Sequence, residues 1–337
     1  MMERLAVIGG GAWGTALAMT TRRAGREAVL WARDADVVES VNRRHENPAY
    51  LPGVGLDPVI RATTDLADAA RYAEAALLVV PAQHLRVVAR RLRPHLSPGV
   101  PVLLCAKGVE QGSLALMTEV AAEELPEAPQ AVLSGPTFAA EVARGLPTAV
   151  TVAATDPDLA ARFAAALGTP SFRPYASDDP VGAEIGGAVK NVLAIACGIV
   201  VGRRLGDNAR AALITRGLAE IVRLAVAKGG RAETLTGLSG LGDLTLTCTA
   251  MQSRNHSLGV ALGEGRALAD VLAERRSVAE GVASAASVTA LAARLGVEMP
   301  IAAAVDSILH RDAAIDETIA RLLARPFRRE TILAAEC

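Results

Sequence analysis

The stretch Leu5-Ala-Val-Ile-Gly-Gly-Gly-Ala-Trp-Gly-Thr-Ala-Leu-Ala18 constrains this chain more than any other, because an apolar run meets three consecutive glycines and passes straight into an Ala/Leu segment. That order predicts a strand, a tight turn and a helix. Gly9, Gly11 and Gly14 fit G-x-G-x-x-G, in which the first glycine permits the turn, the second lets backbone approach a pyrophosphate, and the third lets the helix pack on the strand. The helix N-terminus then offers unpaired N–H groups and a partial positive charge to an anion. Glycine turns also serve purely structural ends, so the surroundings decide. Here the helix runs to about Arg23, and Gly25 precedes a second apolar segment, Ala28-Val-Leu-Trp31, which completes a βαβ unit. The segment ends in Ala32-Arg33-Asp34. A carboxylate at this place suits the ribose hydroxyls of NAD, whereas an arginine suits the 2′-phosphate of NADP. With both residues present NAD(H) and NADP(H) stay open, and Arg33 tilts the balance toward NADP(H).

A chain of 337 residues exceeds what one core usually holds and suits two domains, placed here at 1–178 and 179–337. With 51% hydrophobic but only 3% aromatic residues, the interior must be built from Ala, Val, Leu and Ile. The net charge of −1 gives no overall attraction to nucleic acid or to an anionic membrane, so an anionic ligand has to be held by local charges. Cys105, Cys197, Cys248 and Cys337 form no C-x-x-C pair and the five histidines no H-E-x-x-H; no metal is expected, and the chain reads as a reduced, cytoplasmic protein. Met1-Met2-Glu3-Arg4-Leu5 enters a strand without a signal-peptide pattern. The most apolar run, Val192–Val201, is about ten residues against the roughly twenty of a membrane span, so it reads as part of a buried helix and no integral membrane association is expected.

Further strands are expected at Ala75–Val80, Val100–Ala106, Ala131–Ser134 and Thr148–Ala153, with a short one at Val59–Ala62 and a turn-rich loop at Asn47–Gly53. Helical patterns up to about Arg93, near Leu114–Glu124 and over Asp158–Leu167 alternate with them. The alternation predicts an α/β, Rossmann-type, mainly parallel sheet with helices on both faces and ligands at the carboxyl ends of its strands. Arg33, Gln83, Lys107 and Thr137 each follow a strand and are expected to face one crevice. The texture changes at Ser177-Asp-Asp-Pro180, where Asp178 or Asp179 can cap a helix with Pro180 in its first turn. From there helices are expected almost throughout, at about 181–201, 209–228, 231–238, 256–264, 267–275, 280–295, 300–309 and 314–323. The second domain is therefore all-α, entered through a long helix.

Two constellations there carry chemistry. Lys190 lies among apolar residues of the first helix, where a charge costs desolvation energy unless compensated; burial lowers its pKa and an anion raises it, which suits proton transfer. Asn191 adds a neutral donor and acceptor. The second is Gly237-Leu-Ser-Gly-Leu-Gly-Asp-Leu-Thr-Leu-Thr-Cys248 followed by Gln252-Ser-Arg-Asn-His256. Glycines this dense imply close backbone approach. Asp243, amid apolar residues, needs a partner such as Lys190 or a substrate hydroxyl. Ser253, Arg254 and Asn255 supply a hydroxyl, a guanidinium fork and an amide, a chemistry fit for phosphate.

Gly9-x-Gly-x-Trp-Gly-Thr-Ala-Leu-Ala, Asn47-Pro-x-Tyr-Leu-Pro, Lys107-Gly, Ser134-Gly-Pro-Thr-Phe-Ala-x-Glu141, Val189-Lys-Asn-Val-Leu-Ala-Ile, Gly240-Leu-Gly-Asp-Leu, Ser253-Arg-Asn and Glu280-Gly281, in this order, resemble the bacterial NAD(P)-dependent sn-glycerol-3-phosphate dehydrogenases. The resemblance implies reversible reduction of dihydroxyacetone phosphate to sn-glycerol 3-phosphate, the phospholipid backbone precursor. It implies catalytic roles for Lys190, as acid/base, and Asp243. Lys107, Gly135, Thr137, Asn191, Ser253, Arg254 and Asn255 would line the substrate site. Gly9, Gly11, Ala12, Trp13, Gly14, Arg33, Lys107, Ala139, Arg254, Val278 and Glu280 would face the dinucleotide, in a cytoplasmic homodimer. Ala12 stands where many relatives carry serine, and Ala106 where serine or threonine is frequent. The rival readings are another Rossmann dehydrogenase acting on a hydroxy acid through a catalytic lysine, and a nucleotide-sensing protein without turnover.

Overall fold

The structure is a computed structural model describing residues 2–71, 73–274 and 279–326. The chain divides into two compact units, one of residues up to 106 with 117–180, the other of 107–116 with the described residues from 181 on. The short excursion 107–116, which begins at Lys107, has no counterpart in a division at 178/179.

The first unit is built on eight strands: β1 (Arg4–Ile8), β2 (Glu27–Trp31), β3 (Arg61–Thr63), β4 (Ala75–Leu78), β5 (Val102–Leu104), β6 (Gln130–Ser134), β7 (Thr148–Ala153) and β8 (Phe172–Ser177). Their order across the sheet is β3-β2-β1-β4-β5-β6-β7-β8. Every pair up to β6 is parallel, β7 joins β6 antiparallel, and β8 runs parallel to β7. This is the doubly wound order 3-2-1-4-5-6 with two strands added at one edge. β1 and β4 explain why such runs are continuously apolar: Leu5 to Ile8 and Ala75 to Leu78 are all buried, since helices cover both faces.

β8 was not legible in the sequence. It carries Arg173, Pro174 and an exposed Tyr175 and buries only Phe172, so it lacks strand alternation and is held by its pairing with β7 at the sheet edge. The region expected as a loop after Asn47 contains an antiparallel ribbon, Glu46–Asn47 against Leu51–Gly55.

The second unit is helical among the described residues, with helices Pro180–Gly202, Asp207–Ala227, Ala232–Leu235, Asp243–Thr249, Arg254–Gly263, Leu268–Ala273, Glu280–Arg294, Pro300–His310 and Ile315–Leu323. The expected 231–238 helix stops at Leu235, and the glycine-rich stretch holds a π turn, Leu238–Gly242, leading into the unforeseen Asp243–Thr249 helix. The Pro180–Gly202 helix is 23 residues long. By length and mean hydropathy it is able to cross a membrane, and 89% of its most apolar window is buried within the fold. The ten-residue run understated it, because the helix continues through Gly186, Gly187 and Lys190.

Its packing depends on absent side chains. A Cβ on Gly198 would collide with the His256 carbonyl, and one on Gly259 with the Ile195 carbonyl; Gly202 and Gly263 repeat the arrangement one turn on. Two small-xxx-small faces thus let the Pro180–Gly202 and Arg254–Gly263 backbones touch. The 107–116 segment is tied into the same unit: Ser287 Oγ donates to the Val109 carbonyl at 2.9 Å, and Arg294 donates to the Ser113 and Leu114 carbonyls at 3.0 and 3.2 Å. Val109 and Leu116 sit in the helical core.

Candidate active site

In the first unit the glycine turn joins β1 to the Ala12–Arg23 helix. Gly9 adopts φ 138°, and a Cβ there would lie 2.6 Å from the Val79 carbonyl oxygen, so only glycine fits. Gly14 allows the helix to rest on the turn, since its Cβ would strike the Gly9 carbonyl. Gly11 differs: nothing lies within 4 Å of the position its Cβ would take. It is the helix N-cap without a side-chain cap, and its own N–H has no partner among the described residues. Ala12 and Trp13 open the helix, and the Trp13 Nε1 donor is buried without a partner among the described residues. This donor set, backbone N–H groups at a helix N-terminus with room for backbone approach, fits a dinucleotide pyrophosphate. Ala12 removes a hydroxyl and leaves those N–H groups intact.

After β2, Arg33 is exposed and has no hydrogen-bond or ion-pair partner among the described residues, whereas the Asp34 carboxylate caps the Ala35–Arg44 helix, accepting from the Asp36 N–H at 3.0 Å. The two residues that left the cofactor open thus have different employment. After β6, Gly135 adopts φ 132° against Val150, Thr137 Oγ1 donates to the Gly135 carbonyl at 3.2 Å, and Ala139 begins the Ala139–Ala143 helix. Gln83 lies in the turn Ala82–His84 after β4.

In the second unit Lys107, Lys190, Asn191, Asp243 and Asn255 come together. Lys190 Nζ donates to Asp243 Oδ1 at 2.6 Å, and Lys107 Nζ to Asp243 Oδ2 at 2.7 Å. Asp243 is 0% exposed and Lys190 6%. Lys190 Nζ also donates to Thr247 Oγ1 at 2.9 Å, and that hydroxyl donates to the Asp243 carbonyl at 2.6 Å. Thr247 was missed by sequence reading; it lies one turn after Asp243, a spacing that becomes a signal only once the Asp243–Thr249 helix is recognised.

Burial pulls the Lys190 ammonium down from the ordinary lysine range to about 8, opposed by Asp243 and assisted by the repulsion of Lys107. Burial alone would raise Asp243, yet the two ammonium groups hold its carboxyl below the usual range. A buried carboxylate between two lysines is therefore ionised, and one of its partners titrates near 8.

An amide relay borders this cluster. Asn191 Nδ2 donates to the Lys107 and Gly187 carbonyls, each at 3.3 Å, Asn255 Nδ2 donates to Asn191 Oδ1 at 2.9 Å, and Gly281 N–H donates to Asn255 Oδ1 at 3.0 Å. It ties together the starts of the helices that begin at Arg254 and Glu280. Ser253 caps the first of these by accepting from His256 N–H at 3.2 Å; Arg254 is exposed and Glu280 half-buried. Val278 lies outside the described residues.

Residues 4–160 match the family described as NAD-dependent glycerol-3-phosphate dehydrogenase N-terminus, and residues 179–320 match its C-terminus. The chain is 65% identical over 331 residues to a Rhodospirillum rubrum protein named glycerol-3-phosphate dehydrogenase (NAD(P)+), covering 98% of this chain and 95% of that one. It is 58% identical over 328 residues to the Caulobacter vibrioides protein of the same name, covering 97% and 99%. The crystal structure of glycerol-3-phosphate dehydrogenase from Coxiella burnetii is similar with a TM-score of 0.92 and 41% identity, covering 96% of this chain and 99% of that one.

Proposed function

The chain belongs to the NAD-dependent glycerol-3-phosphate dehydrogenase family, and from that premise we propose that it reversibly reduces dihydroxyacetone phosphate to sn-glycerol 3-phosphate for glycerophospholipid synthesis, with Lys190 as general acid/base. The observation that carries the catalytic assignment is the buried Asp243 carboxylate shared by Lys190 and Lys107. A bound nicotinamide would supply the hydride for the substrate C2 carbon. Lys190 Nζ donates a proton to the C2 oxygen as negative charge develops there and becomes a neutral amine; in oxidation the amine takes the proton back. A pKa near 8 makes both forms accessible near neutrality.

The second lysine explains how the cluster tolerates the change. When Lys190 loses its proton, Asp243 keeps a cation at 2.7 Å in Lys107, so no buried carboxylate is left uncompensated. Thr247 holds Lys190 in place through both states, because its hydroxyl accepts from Nζ while donating to the Asp243 carbonyl. Ser253, Arg254, Asn255 and Asn191 offer the hydroxyl, guanidinium and amides that suit the substrate phosphate and hydroxyls, and the family pattern adds Gly135 and Thr137. Ala139, Val278 and Glu280 are assigned to the dinucleotide by the same pattern. Arg33, exposed and without a partner among the described residues where Asp34 is engaged as a cap, favours NADP(H) over NAD(H).

We further assign the protein to the cytoplasm as a homodimer, in keeping with the family resemblance and with Cys105, Cys197 and Cys248 being buried and forming no disulfide among the described residues; light scattering checks the dimer. Initial rates with dihydroxyacetone phosphate and each reduced cofactor test the activity itself. Faster turnover of an unphosphorylated 2-oxo acid refutes the substrate, and NADPH binding without oxidation on adding dihydroxyacetone phosphate refutes the enzyme. Lys190→Ala is expected to cut turnover by about two orders of magnitude or more while NADPH binding, read by fluorescence, is retained. Near-normal turnover removes Lys190 from the mechanism.

A further inference from the structure

We propose that Asn47 is a positioning residue for the dinucleotide, acting by clamping the glycine turn so that the Gly11 N–H faces the pyrophosphate; the inference rests on the dehydrogenase reading only for the identity of the ligand. Asn47 does not belong to the turn. It lies in the Glu46–Asn47 ribbon strand, is 0% exposed, and is fixed there by its pairing with Leu51. The ribbon is anchored in turn by Ser40 Oγ, which donates to the Glu46 carbonyl at 2.9 Å. From this support Asn47 Nδ2 spends both hydrogens on the nucleotide-binding corner: one on the Gly10 carbonyl at 3.0 Å, the other on Thr15 Oγ1 at 2.8 Å.

The consequence follows from the planar trans peptide. The Gly10 carbonyl and the Gly11 N–H belong to one peptide plane and point in opposite directions, so fixing the oxygen fixes the donor. With the carbonyl held by Asn47, the N–H is turned the opposite way, and there it has no partner among the described residues. The other side of Gly10 is closed by Ala32, whose Cβ would collide with any side chain at that position. The turn is thus gripped between the end of β2 and the Asn47 amide. The bond to Thr15, buried in the first helical turn, locks the turn to the helix whose N-terminus completes the cradle. Three consecutive glycines are intrinsically the least constrained backbone a chain can contain, and a cradle already ordered before binding saves that ordering at the moment of binding. Within Asn47-Pro-Ala-Tyr-Leu-Pro52, Asn47 supplies the donor and the residues after it supply the ribbon that holds it.

Asn47→Leu keeps the branched shape and removes the donor, and Asn47→Ser, smaller and too short to reach, serves if the leucine variant does not fold. NADPH dissociation constants come from fluorescence titration of the full-length protein without substrate. Inhibition constants of adenosine 2′-monophosphate, which carries the 2′-phosphate and no pyrophosphate, come from competition. About a tenfold weakening of NADPH is expected, the scale of one orienting hydrogen bond, with adenosine 2′-monophosphate changed less than about twofold and kcat at saturating NADPH falling much less than 1/KM. Unchanged NADPH affinity overturns the proposal. Equal weakening of both ligands also overturns it, since that is the mark of general damage to the unit. If the wild-type protein fails to reduce dihydroxyacetone phosphate while the selective loss of NADPH affinity persists, the dehydrogenase reading falls and the positioning role of Asn47 stands.

Discussion

Replacing Asp243 by asparagine isolates the feature on which the proton-transfer argument depends. The carboxylate lies 2.6 Å from Lys190 Nζ and 2.7 Å from Lys107 Nζ, with no exposure of its own. Unit charges about 4 Å apart at an effective dielectric constant of about 20 attract by about 4 kcal/mol, which corresponds to about three pKa units. That is a ceiling, because the altered pocket admits water and relaxes, and about one to two units is the working expectation. The direction is fixed: losing an anion while keeping the repulsion of Lys107 lowers Lys190 further below its present value of about 8. At pH about 7.5 the protonated fraction then drops from about three quarters to about a tenth. Reduction of dihydroxyacetone phosphate needs the ammonium form, so kcat/KM in that direction falls about tenfold from protonation alone and recovers as the pH is lowered. The assay is the pH dependence of kcat/KM for reduction between about pH 5.5 and 9.5, whose descending limb reports the acid in the free enzyme. The wild-type limb is expected near pH 8, and that of the Asp243→Asn variant at least about one unit lower. A limb that stays in place refutes the coupling between Asp243 and Lys190, however low the overall rate becomes.

Arg33→Ala is expected to weaken NADPH by about tenfold to a hundredfold and NADH by less than about twofold, the scale of one charge-assisted contact to a phosphate; equal effects in fluorescence titrations of the two cofactors place Arg33 away from the 2′-phosphate. Gly259→Ala puts a methyl group into the Ile195 carbonyl and is expected to cost about 2 kcal/mol or more in denaturant unfolding, since backbone has to move on both helices. An unchanged midpoint shows that the two helices are not in backbone contact.

The parts of the first unit that were legible are those where one local signal is sufficient. β1, β4 and β7 are apolar or β-branched runs bounded by turns, and the glycine spacing, read inside its βαβ unit, marks the cradle. β8 fails that test, because an edge strand needs neither an apolar face nor a free N–H at every residue, and Pro174 is admissible there. Asp34 was ambiguous for a similar reason. A carboxylate after a parallel strand serves equally as a ribose ligand or as a helix cap, and only the bond to Asp36 N–H separates the two. The role of Asn47 is not legible in the sequence, since its partners, Gly10 and Thr15, lie in the turn and helix that follow β1.

In the second unit the chemistry was visible one residue at a time, whereas the geometry that joins it was not. Asp243 and Lys190 are 53 positions apart, and nothing in local periodicity brings them into contact. What does so is the glycine cluster, whose density signalled close approach without saying to what. The approach is on two sides: a Cβ on Gly186 of the lysine helix would run into the Ser239 carbonyl, and one on Gly240 into the Leu235 carbonyl at the end of the Ala232–Leu235 helix. The π turn Leu238–Gly242 therefore meets the Pro180–Gly202 helix at Gly186, one turn before Lys190, and releases into the Asp243–Thr249 helix with Asp243 at its first position. A helix start places both Asp243 and, four residues on, Thr247 on one face, which is why a single backbone contact delivers two of the three groups that surround the Lys190 ammonium. The third, Lys107, arrives on a segment borrowed from between β5 and the Met117–Glu124 helix, so the carboxylate has its second cation only because 107–116 folds with the helical unit.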